Sequence, residues 1–287
     1  MKKLLFAALA LMALAACSQQ DAGETENPEQ TVNVTFNVQA DGWSVSVEPM
    51  RTRALTADGK EMTDIWVLDY RDGVLQQQLH QSSTDADFAQ PTLPLNVGQH
   101  HVYFIASRGQ SPVLSTDAHT LTFSKVLDTF YRDYSIDVTA TTNGSQAITL
   151  ERVVTKLRLT FTDAIPTTAK QFRVTPTTWY YSMDYLTGQP TTAATSQTIS
   201  VDIPSSALGS TGEYLNVFGF SGSSEWTTDI TFDCIDASNN ILGTATIAAA
   251  QFKRNRVSDY TGPLFTGGGQ MTLSLNTAWD DPLAGTW

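Results

Sequence analysis

Few side chains of this 287-residue protein could do covalent or metal chemistry, and they are scattered along the sequence. There are two thiols, Cys17 and Cys234, and four imidazoles. Cys17 stands out because a basic head, Lys2-Lys3, an uncharged apolar stretch over residues 4–14 and two small residues precede it. This order is typical of a secretory signal. The apolar stretch is shorter than the roughly 20 residues that span a bilayer, so it predicts export and not a transmembrane helix.

The four residues Leu14-Ala15-Ala16-Cys17 resemble the lipobox of bacterial lipoproteins. The resemblance implies that residues 1–16 are a lipoprotein signal peptide, that cleavage precedes Cys17 and that Cys17 carries lipid. An ordinary signal peptide with a chance cysteine is the alternative. Residues 17–30 are acidic and too poor in apolar side chains to fold, so we expect a flexible tether.

The chain is acidic, with 17 Lys and Arg against 29 Asp and Glu and a net charge of −12. Loss of Lys2 and Lys3 with the signal peptide would leave 15 basic side chains and a net charge of −14. Such a surface repels phosphate backbones, so we expect no nucleic-acid partner. If Cys17 carries lipid, Cys234 has no partner, and the exported chain must fold without a disulfide.

The other reactive residue types do not form a recognisable catalytic or metal-binding set. Ser221 lies in a near match to the nucleophile elbow, but Ser223 stands where that motif needs glycine. His100 and His101 are adjacent on a predicted strand, so their side chains should point to opposite faces, and we interpret them as polar rim residues. Cys234 lies at strand spacing from apolar neighbours, which indicates a core thiol. We therefore expect no enzyme activity, no cofactor and no metal site.

Alternation of apolar and polar residues dominates the chain from Thr31 onward, which indicates β-strands. Thr31–Val38 and Lys156–Thr162 alternate cleanly, whereas Ile65–Tyr70 is apolar on both faces, as in a central strand. Further strands are predicted at Ser44–Glu48, Val74–Leu79, His101–Ala106, Ser135–Ala140, Gln146–Leu150, Phe172–Thr175, Thr198–Ile203, Tyr214–Phe220, Thr228–Ile235, Ile241–Ile247 and Met271–Leu275. Apolar residues at helical spacing predict one short helix over Ser124–Tyr134.

Short strands at near-regular spacing predict an all-β fold with two β-sandwich domains, residues 31–150 and 151–287. Asn143-Gly144 and Asn239-Asn240 have the composition of hairpin turns and join successive predicted strands.

Four stretches, with the lipobox and Trp287, resemble the Bacteroidales fimbrillin superfamily, the type V pilins. They are Thr63–Leu68, Glu151–Leu157, Tyr214–Phe220 and Phe252–Val257. The chain is most similar to the FimB-type branch of anchor or accessory subunits. The resemblance implies two transthyretin-like, Greek-key β-sandwich domains. It also implies assembly by donated strands, in which a strand of one subunit completes the sheet of the next.

In stalk pilins of this superfamily, an Arg-specific protease cuts a loop after the first strands. The matching loop here is the polar segment Pro49–Glu61, with Arg51 and Arg53 as candidate cut sites. A cut after Arg53 would separate Cys17 from the body of the protein, so a chain is either cleaved or anchored. The alternative to cleavage is that Arg51 and Arg53 are simply two charges on a solvated loop. The chain ends soon after its last predicted strand, which leaves little tail to donate and favours an anchor or accessory subunit.

The sequence thus predicts a structural subunit of a surface fimbria, held in the outer membrane by lipid on Cys17 and joined to other fimbrial subunits by strand donation. Two alternatives stay open. One is a stalk or tip fimbrillin matured by cleavage in the 49–61 loop. The other is a surface lipoprotein that binds glycan through the aromatic stretch Trp179–Tyr185, although core and cross-strand packing is the favoured interpretation of these rings.

Overall fold

The computed structural model of the protein describes residues 30–40, 62–108, 112–191, 194–195, 197–266 and 272–276. Within them the chain is almost entirely β-structure, which confirms the all-β prediction. The strands are β1 (Thr31–Ala40), β2 (Asp64–Arg71), β3 (Val74–Ser82), β4 (Thr92–Asn96), β5 (Gly98–Ser107), β6 (Val113–Ser115), β7 (Thr120–Thr122), β8 (Thr129–Val138), β9 (Ser145–Arg152), β10 (Val154–Phe161), β11 (Ala169–Pro176), β12 (Thr178–Trp179), β13 (Ser182–Asp184), β14 (Gln189–Pro190), β15 (Ala194–Thr195), β16 (Ile199–Asp202), β17 (Tyr214–Phe220), β18 (Trp226–Asp236), β19 (Ile241–Phe252), β20 (Val257–Gly262) and β21 (Thr272–Asn276). A single turn of 3-10 helix, Ser205–Ala207, lies between β16 and β17.

A seven-stranded sheet in the order β3-β2-β5-β8-β9-β1-β4 folds around one hydrophobic core, which we call the first core. The bend is in β9, because Ser145–Leu150 pair with β1 whereas Glu151 and Arg152 pair with β8. Phe36 of β1 therefore meets Phe104 of β5, with ring centroids 5.1 Å apart, although the two strands are not neighbours in the sheet. This is the sandwich arrangement that alternating strands require, since each strand buries one face.

Two four-stranded sheets, β17-β10-β20-β21 and β16-β11-β18-β19, enclose a second core. Phe161 of β10 and Phe172 of β11 stack between them, with centroids 4.5 Å apart and ring planes 6° from parallel. Cys234 is fully buried in the same core, as predicted.

The two cores share strands β2, β5 and β8. Val67 and Phe104 face the first core, while Leu68 and Ile105 face the second. A small sheet in the order β14-β13-β7-β6 also combines strands from both halves of the chain. The predicted division near residues 150–152 falls between β9 and β10, and independent folding of the two parts stays a prediction.

The prediction of a helix over Ser124–Tyr134 is wrong, because residues 124–128 are irregular and β8 begins at Thr129. Phe130 packs in the first core and Tyr131 in the second. Both faces of this end of β8 are therefore buried, which hides the strand alternation and leaves apolar residues at a spacing that imitates a helix.

The two predicted hairpin turns differ in outcome. Asn239-Asn240 turns the chain from β18 to β19, with Asn239 in the left-handed region (φ 64°). The tight hairpin predicted at Asn143-Gly144 is wrong. β8 and β9 pair only at their far ends, Phe130 with Arg152 and Tyr131 with Glu151, and then diverge as β9 joins β1.

Asp163, just after β10, anchors the loop that leads toward β21. Its carboxylate accepts backbone N–H bonds from Leu264 (3.0 Å), Phe265 (2.7 Å) and Thr266 (2.9 Å). Burial by itself would raise the pKa of Asp163, but these backbone hydrogen bonds outweigh it and lower the pKa below the ordinary value.

We expect Asp163→Asn to lower the free energy of unfolding by about 1–2 kcal/mol at neutral pH, because the amide replaces an ionised acceptor of several N–H groups. Since the folded-state pKa is lowered, the stabilisation is present above the pKa of the unfolded chain and is lost as pH falls through the folded-state pKa. Urea denaturation at neutral and acidic pH measures both effects. Asp202→Asn is the control, because the Asp202 carboxylate accepts one hydrogen bond from the side-chain amide of Gln171. It should lower the free energy of unfolding only slightly. An equal loss for Asp163→Asn at both pH values would contradict this account.

Candidate functional site

β1 lies between two strands that are distant from it in sequence. Thr31–Thr35 pair antiparallel with β4, and Thr35–Ala40 pair parallel with β9. Residues 89–91, which precede β4 in the chain, extend this edge. The N–H groups of Phe36 and Val38 donate to the carbonyls of residues 91 and 89, both at 2.9 Å. β1 is therefore hydrogen-bonded along both edges, and we call the position formed by β4, β9 and residues 89–91 the β1 seat.

Alternate side chains of β1 enter the first core. Val34 and Phe36 are fully buried, and Val38 is 6% exposed. The ring of Phe36 meets Phe104 and Tyr134 edge-on, at centroid distances of 5.1 and 6.2 Å. Burial of each such side chain contributes about 1.5–3 kcal/mol, so β1 supplies a large share of the apolar contacts in this core.

The outward side chains of β1 form a polar ladder with its two neighbours. Its hydrogen bonds join Thr35 Oγ1 and Thr92 Oγ1 (2.8 Å), Asn37 Nδ2 and Ser145 Oγ (2.9 Å), and Gln39 Nε2 and Thr149 Oγ1 (3.1 Å). Exposed cross-strand pairs contribute about 0.2–1 kcal/mol each. The backbone ladder and the inward side chains therefore do most to hold β1.

β10 shows the same pairing pattern as β1, antiparallel to β17 and parallel to β20, but its attachment differs. β10 follows β9 after a single intervening residue, Val153. β1 is joined to β2 only through residues 41–63. β10 therefore cannot leave its position without pulling β9 with it, whereas no described strand lies between β1 and β2 in the chain. Departure of β1 would cost β4, at the edge of the sheet, its strand partner.

A buried polar network fixes the β4 wall of the seat. His100 Nδ1 lies 2.7 Å from Asp69 Oδ1, and His100 Nε2 lies 2.8 Å from the carbonyl oxygen of Asn96. Gln77 Nε2 donates to the second oxygen of Asp69 (3.2 Å) and to the carbonyl of Pro94 (3.0 Å). β4 is thereby tied to β2, β3 and β5 across the first core.

His100 is therefore not a rim residue, and that interpretation is wrong for this histidine. Its side chain is 2% exposed, whereas the adjacent His101 is exposed, so the prediction of opposite faces is confirmed. Cys234 is inert, because burial raises the pKa of its thiol to about 12. Ser221 is also buried, and its hydroxyl accepts the indole N–H of Trp226 at 3.0 Å, which is a structural role.

Three of the four rings in the aromatic stretch Trp179–Tyr185 are buried, and Tyr180 is partly buried against Trp226. Trp179 is 1% exposed and donates its indole N–H to the carbonyl of Phe218 at 3.0 Å. Tyr185 is fully buried. The hydroxyl oxygens of Tyr185 and Tyr70 lie 2.7 Å apart. The packing interpretation of these rings is confirmed, and neither Trp179 nor Tyr185 presents a face on which a sugar could stack.

The other predicted site residues, Cys17, Arg51 and Arg53, lie outside the described residues, as do the strand predicted at Ser44–Glu48 and the loop Pro49–Glu61. Their roles stay predictions. The described part of the chain contains no group of three or more His, Cys, Asp or Glu side chains placed to hold a metal ion. None of its helical structure is long and apolar enough to cross a bilayer.

A family model matches residues 86–286, most of the chain that forms these sheets. The protein belongs to DUF6562, a family of unknown function. No curated protein matches this DUF6562 chain in sequence.

Solved structures from Bacteroides share the fold of this DUF6562 protein. A candidate adhesin of Bacteroides ovatus has a TM-score of 0.50 and 11% identity, over 82% of this chain and 88% of its own. A candidate polysaccharide-binding protein (DUF1812) of Bacteroides thetaiotaomicron has a TM-score of 0.50 and 8% identity, over 85% and 96%. A candidate cell adhesion protein of Bacteroides uniformis has a TM-score of 0.50 and 12% identity, over 88% and 99%. At these identities the likeness concerns the fold alone.

We expect Phe36→Ala to lower the free energy of unfolding of this DUF6562 protein by about 3–4 kcal/mol, because it leaves a cavity beside Phe104. Asn37→Ala, the neighbouring outward position on the same strand, is the matched control and should cost less than about 1 kcal/mol. Urea denaturation measures both variants. Equal losses for the two would mean that β1 is not seated by its inward face.

Proposed function

We propose that this DUF6562 protein is a structural, non-enzymatic subunit of a cell-surface fimbria or adhesin, held at the outer membrane by lipid on Cys17. The observation that carries the proposal is the β1 seat, a central strand position whose occupant is joined to the body of the protein only through residues 41–63. The fold likeness to candidate adhesins and a candidate cell adhesion protein of Bacteroides supports the same setting.

Assembly would proceed by strand exchange at the seat. Departure of β1 would leave the backbone groups of β4 and β9 unpaired and would open the sites of Val34, Phe36 and Val38 in the first core. Exposed strand edges and open apolar sites are what β-strand addition fills. A neighbouring subunit would therefore supply an extended segment with apolar residues at every second position.

The registers of β1 set the geometry of the incoming strand. To reproduce both ladders, it must run antiparallel to β4 and parallel to β9, and place a large side chain where Phe36 meets Phe104. In an anchor or accessory subunit, which we favour, the loop with Arg51 and Arg53 stays intact, and β1 is displaced while it remains attached. A cut at either arginine would instead produce a stalk or tip subunit in which β1 is no longer covalently attached and can be replaced in the seat by a donated strand.

Fractionation of the native host tests this role. We expect the wild-type protein in the membrane fraction and in sheared fibres, with a lipid-modified Cys17 as its first residue and the 51–54 segment intact by mass spectrometry. Cys17→Ser should move the protein and its fibres into the culture medium, because no acyl chain then holds them.

Cys234→Ala is the matched cysteine control and should stay with the membrane. Recovery of the wild-type protein only as a free monomer, never with fibres, would contradict the proposal. An N-terminus at Thr52 or Ala54 in sheared fibres would instead identify the stalk or tip alternative.

A further inference from the structure

An open cleft lies where the small sheet meets the two sheets of the second core. Strands β7 and β13 form one side, and the edge strands β16 and β17 form the other, with the segment Phe123–Val126 between them. Its larger part has a volume of about 400 Å³, and a smaller part of about 130 Å³ adjoins it through Ser124, Tyr181 and Gln197. Binding sites for small ligands have volumes of about 300–1,000 Å³, so the cleft can take one or two sugar-sized groups.

Val126 narrows the space between β16 and β17, because it lines the smaller part of the cleft together with residues of both strands. Val126 is 3% exposed and belongs to the second core, directly beside these two edges. β16 is also only four residues long, so on that side an added strand would find a shorter edge than most strands have. The cleft is therefore better suited to a compact ligand than to an extended segment.

The lining combines apolar side chains with neutral polar ones. Hydroxyl and amide side chains come from four separate segments: Thr122, Ser124, Ser182, Gln197, Ser200 and Asn216. Gln197 and Ser200 are exposed on the β16 side, and the side chains of Thr122 and Ser182 are joined by a 2.8 Å hydrogen bond on the other. Such donors and acceptors match the hydroxyl groups of a sugar ring.

The charge of the cleft is opposite to that of the molecule. The chain has 29 acidic and 17 basic side chains, yet no Asp or Glu is among the described residues that line the cleft. Lys125 is the charged side chain in that lining, and it is exposed. A carboxylate that entered here would meet an ammonium group and no carboxylate among the lining side chains.

Tyr181 adds an independent sign that a ligand belongs here. It lines both parts of the cleft and is only 8% exposed. Its buried hydroxyl oxygen has no hydrogen-bond partner among the described residues. Buried hydroxyl groups are nearly always paired, so this one calls for a partner outside the described residues. Burial raises the pKa of Tyr181 to about 12, so the hydroxyl keeps its proton and can donate.

We propose that this cleft binds one carboxylated sugar of a glycan, of the uronic-acid or sialic-acid type. Lys125 pairs with the carboxylate, and the hydroxyl and amide groups of the lining bind the sugar hydroxyls. The cleft shares no lining residue with the β1 seat, so binding does not depend on strand exchange.

Titration of the full mature protein with three probes tests the proposal, with saturation-transfer NMR and calorimetry as readouts. The probes are trigalacturonate, 3′-sialyllactose and lactose, the last being the neutral part of the second. We expect one of the two acidic probes to bind at least about tenfold more tightly than lactose, with affinity that falls as salt is raised. The acidic probe that binds distinguishes a uronic acid from a sialic acid.

Lys125→Gln should weaken binding of that probe about tenfold, since it removes one charged hydrogen bond. Lys170→Gln, at an exposed lysine on β11 outside the cleft, is the matched control and should bind as the wild type does. Tyr181→Phe should weaken binding without loss of stability, because its hydroxyl has no partner among the described residues. Fibre incorporation should be unchanged in all three variants, which separates this test from that of the proposed function.

Any of four results would overturn the proposal. The first is equal binding of lactose and the acidic probes, and the second is full binding by Lys125→Gln. The third is no binding of any sugar at millimolar concentration, and the fourth concerns a peptide. If a synthetic peptide of residues 31–40 bound at the cleft instead, the site would be a strand-binding edge and the sugar proposal would be wrong.

Discussion

A strand inside a sheet needs hydrogen-bond partners on both of its edges, and β1 obtains them from two strands that are more than fifty residues away in sequence. Without β1, β4 and β9 would be unpaired edges and the first core would lose its layer of Val34, Phe36 and Val38. The seat must therefore be occupied at all times in a stable protein. It can be filled by β1 or by a strand of equivalent pattern from another molecule, and this requirement is the physical basis of the proposed assembly.

The seat is set on a rigid body. β2, β5 and β8 face the first core on one side and the second core on the other, so movement of this layer would disturb both. The buried Asp69–His100 pair ties the β4 wall to the same layer. A Cβ at Gly188, where φ is +65°, would lie 2.5 Å from the ring of Tyr131, which shows how closely the two halves approach. Exchange of β1 can thus occur against walls that stay in place.

Local pattern predicted the strands that bury a single face, because alternation records that burial directly. β1 and β10 were located in this way. β8 was missed where Phe130 and Tyr131 face different cores, since a strand buried on both faces has no alternation to detect. Asp69 is buried in β2, but its partner His100 lies 31 residues later, and no local signal identifies the pair.

The candidate sites were predictable to different degrees for the same reason. The position of β1 and the loop that follows it could be located in the sequence. Its partners β4 and β9 could not, because pairing between distant strands depends on the whole topology. The cleft could not be predicted at all, since its lining comes from five separate segments whose polar residues resemble ordinary surface positions.

A disulfide lock on β1 tests strand exchange most directly. Thr35 and Thr92 are register partners whose hydroxyl oxygens lie 2.8 Å apart, so a Thr35→Cys/Thr92→Cys pair is well placed to form a bond. The measured quantity is the fraction of protein in sheared fibres, with and without reductant. Thr231→Cys/Thr246→Cys, register partners on β18 and β19, is the control and should assemble under both conditions. We expect the oxidised β1 lock to abolish assembly and reductant to restore it, whereas wild-type assembly by the oxidised lock would contradict strand exchange at this seat.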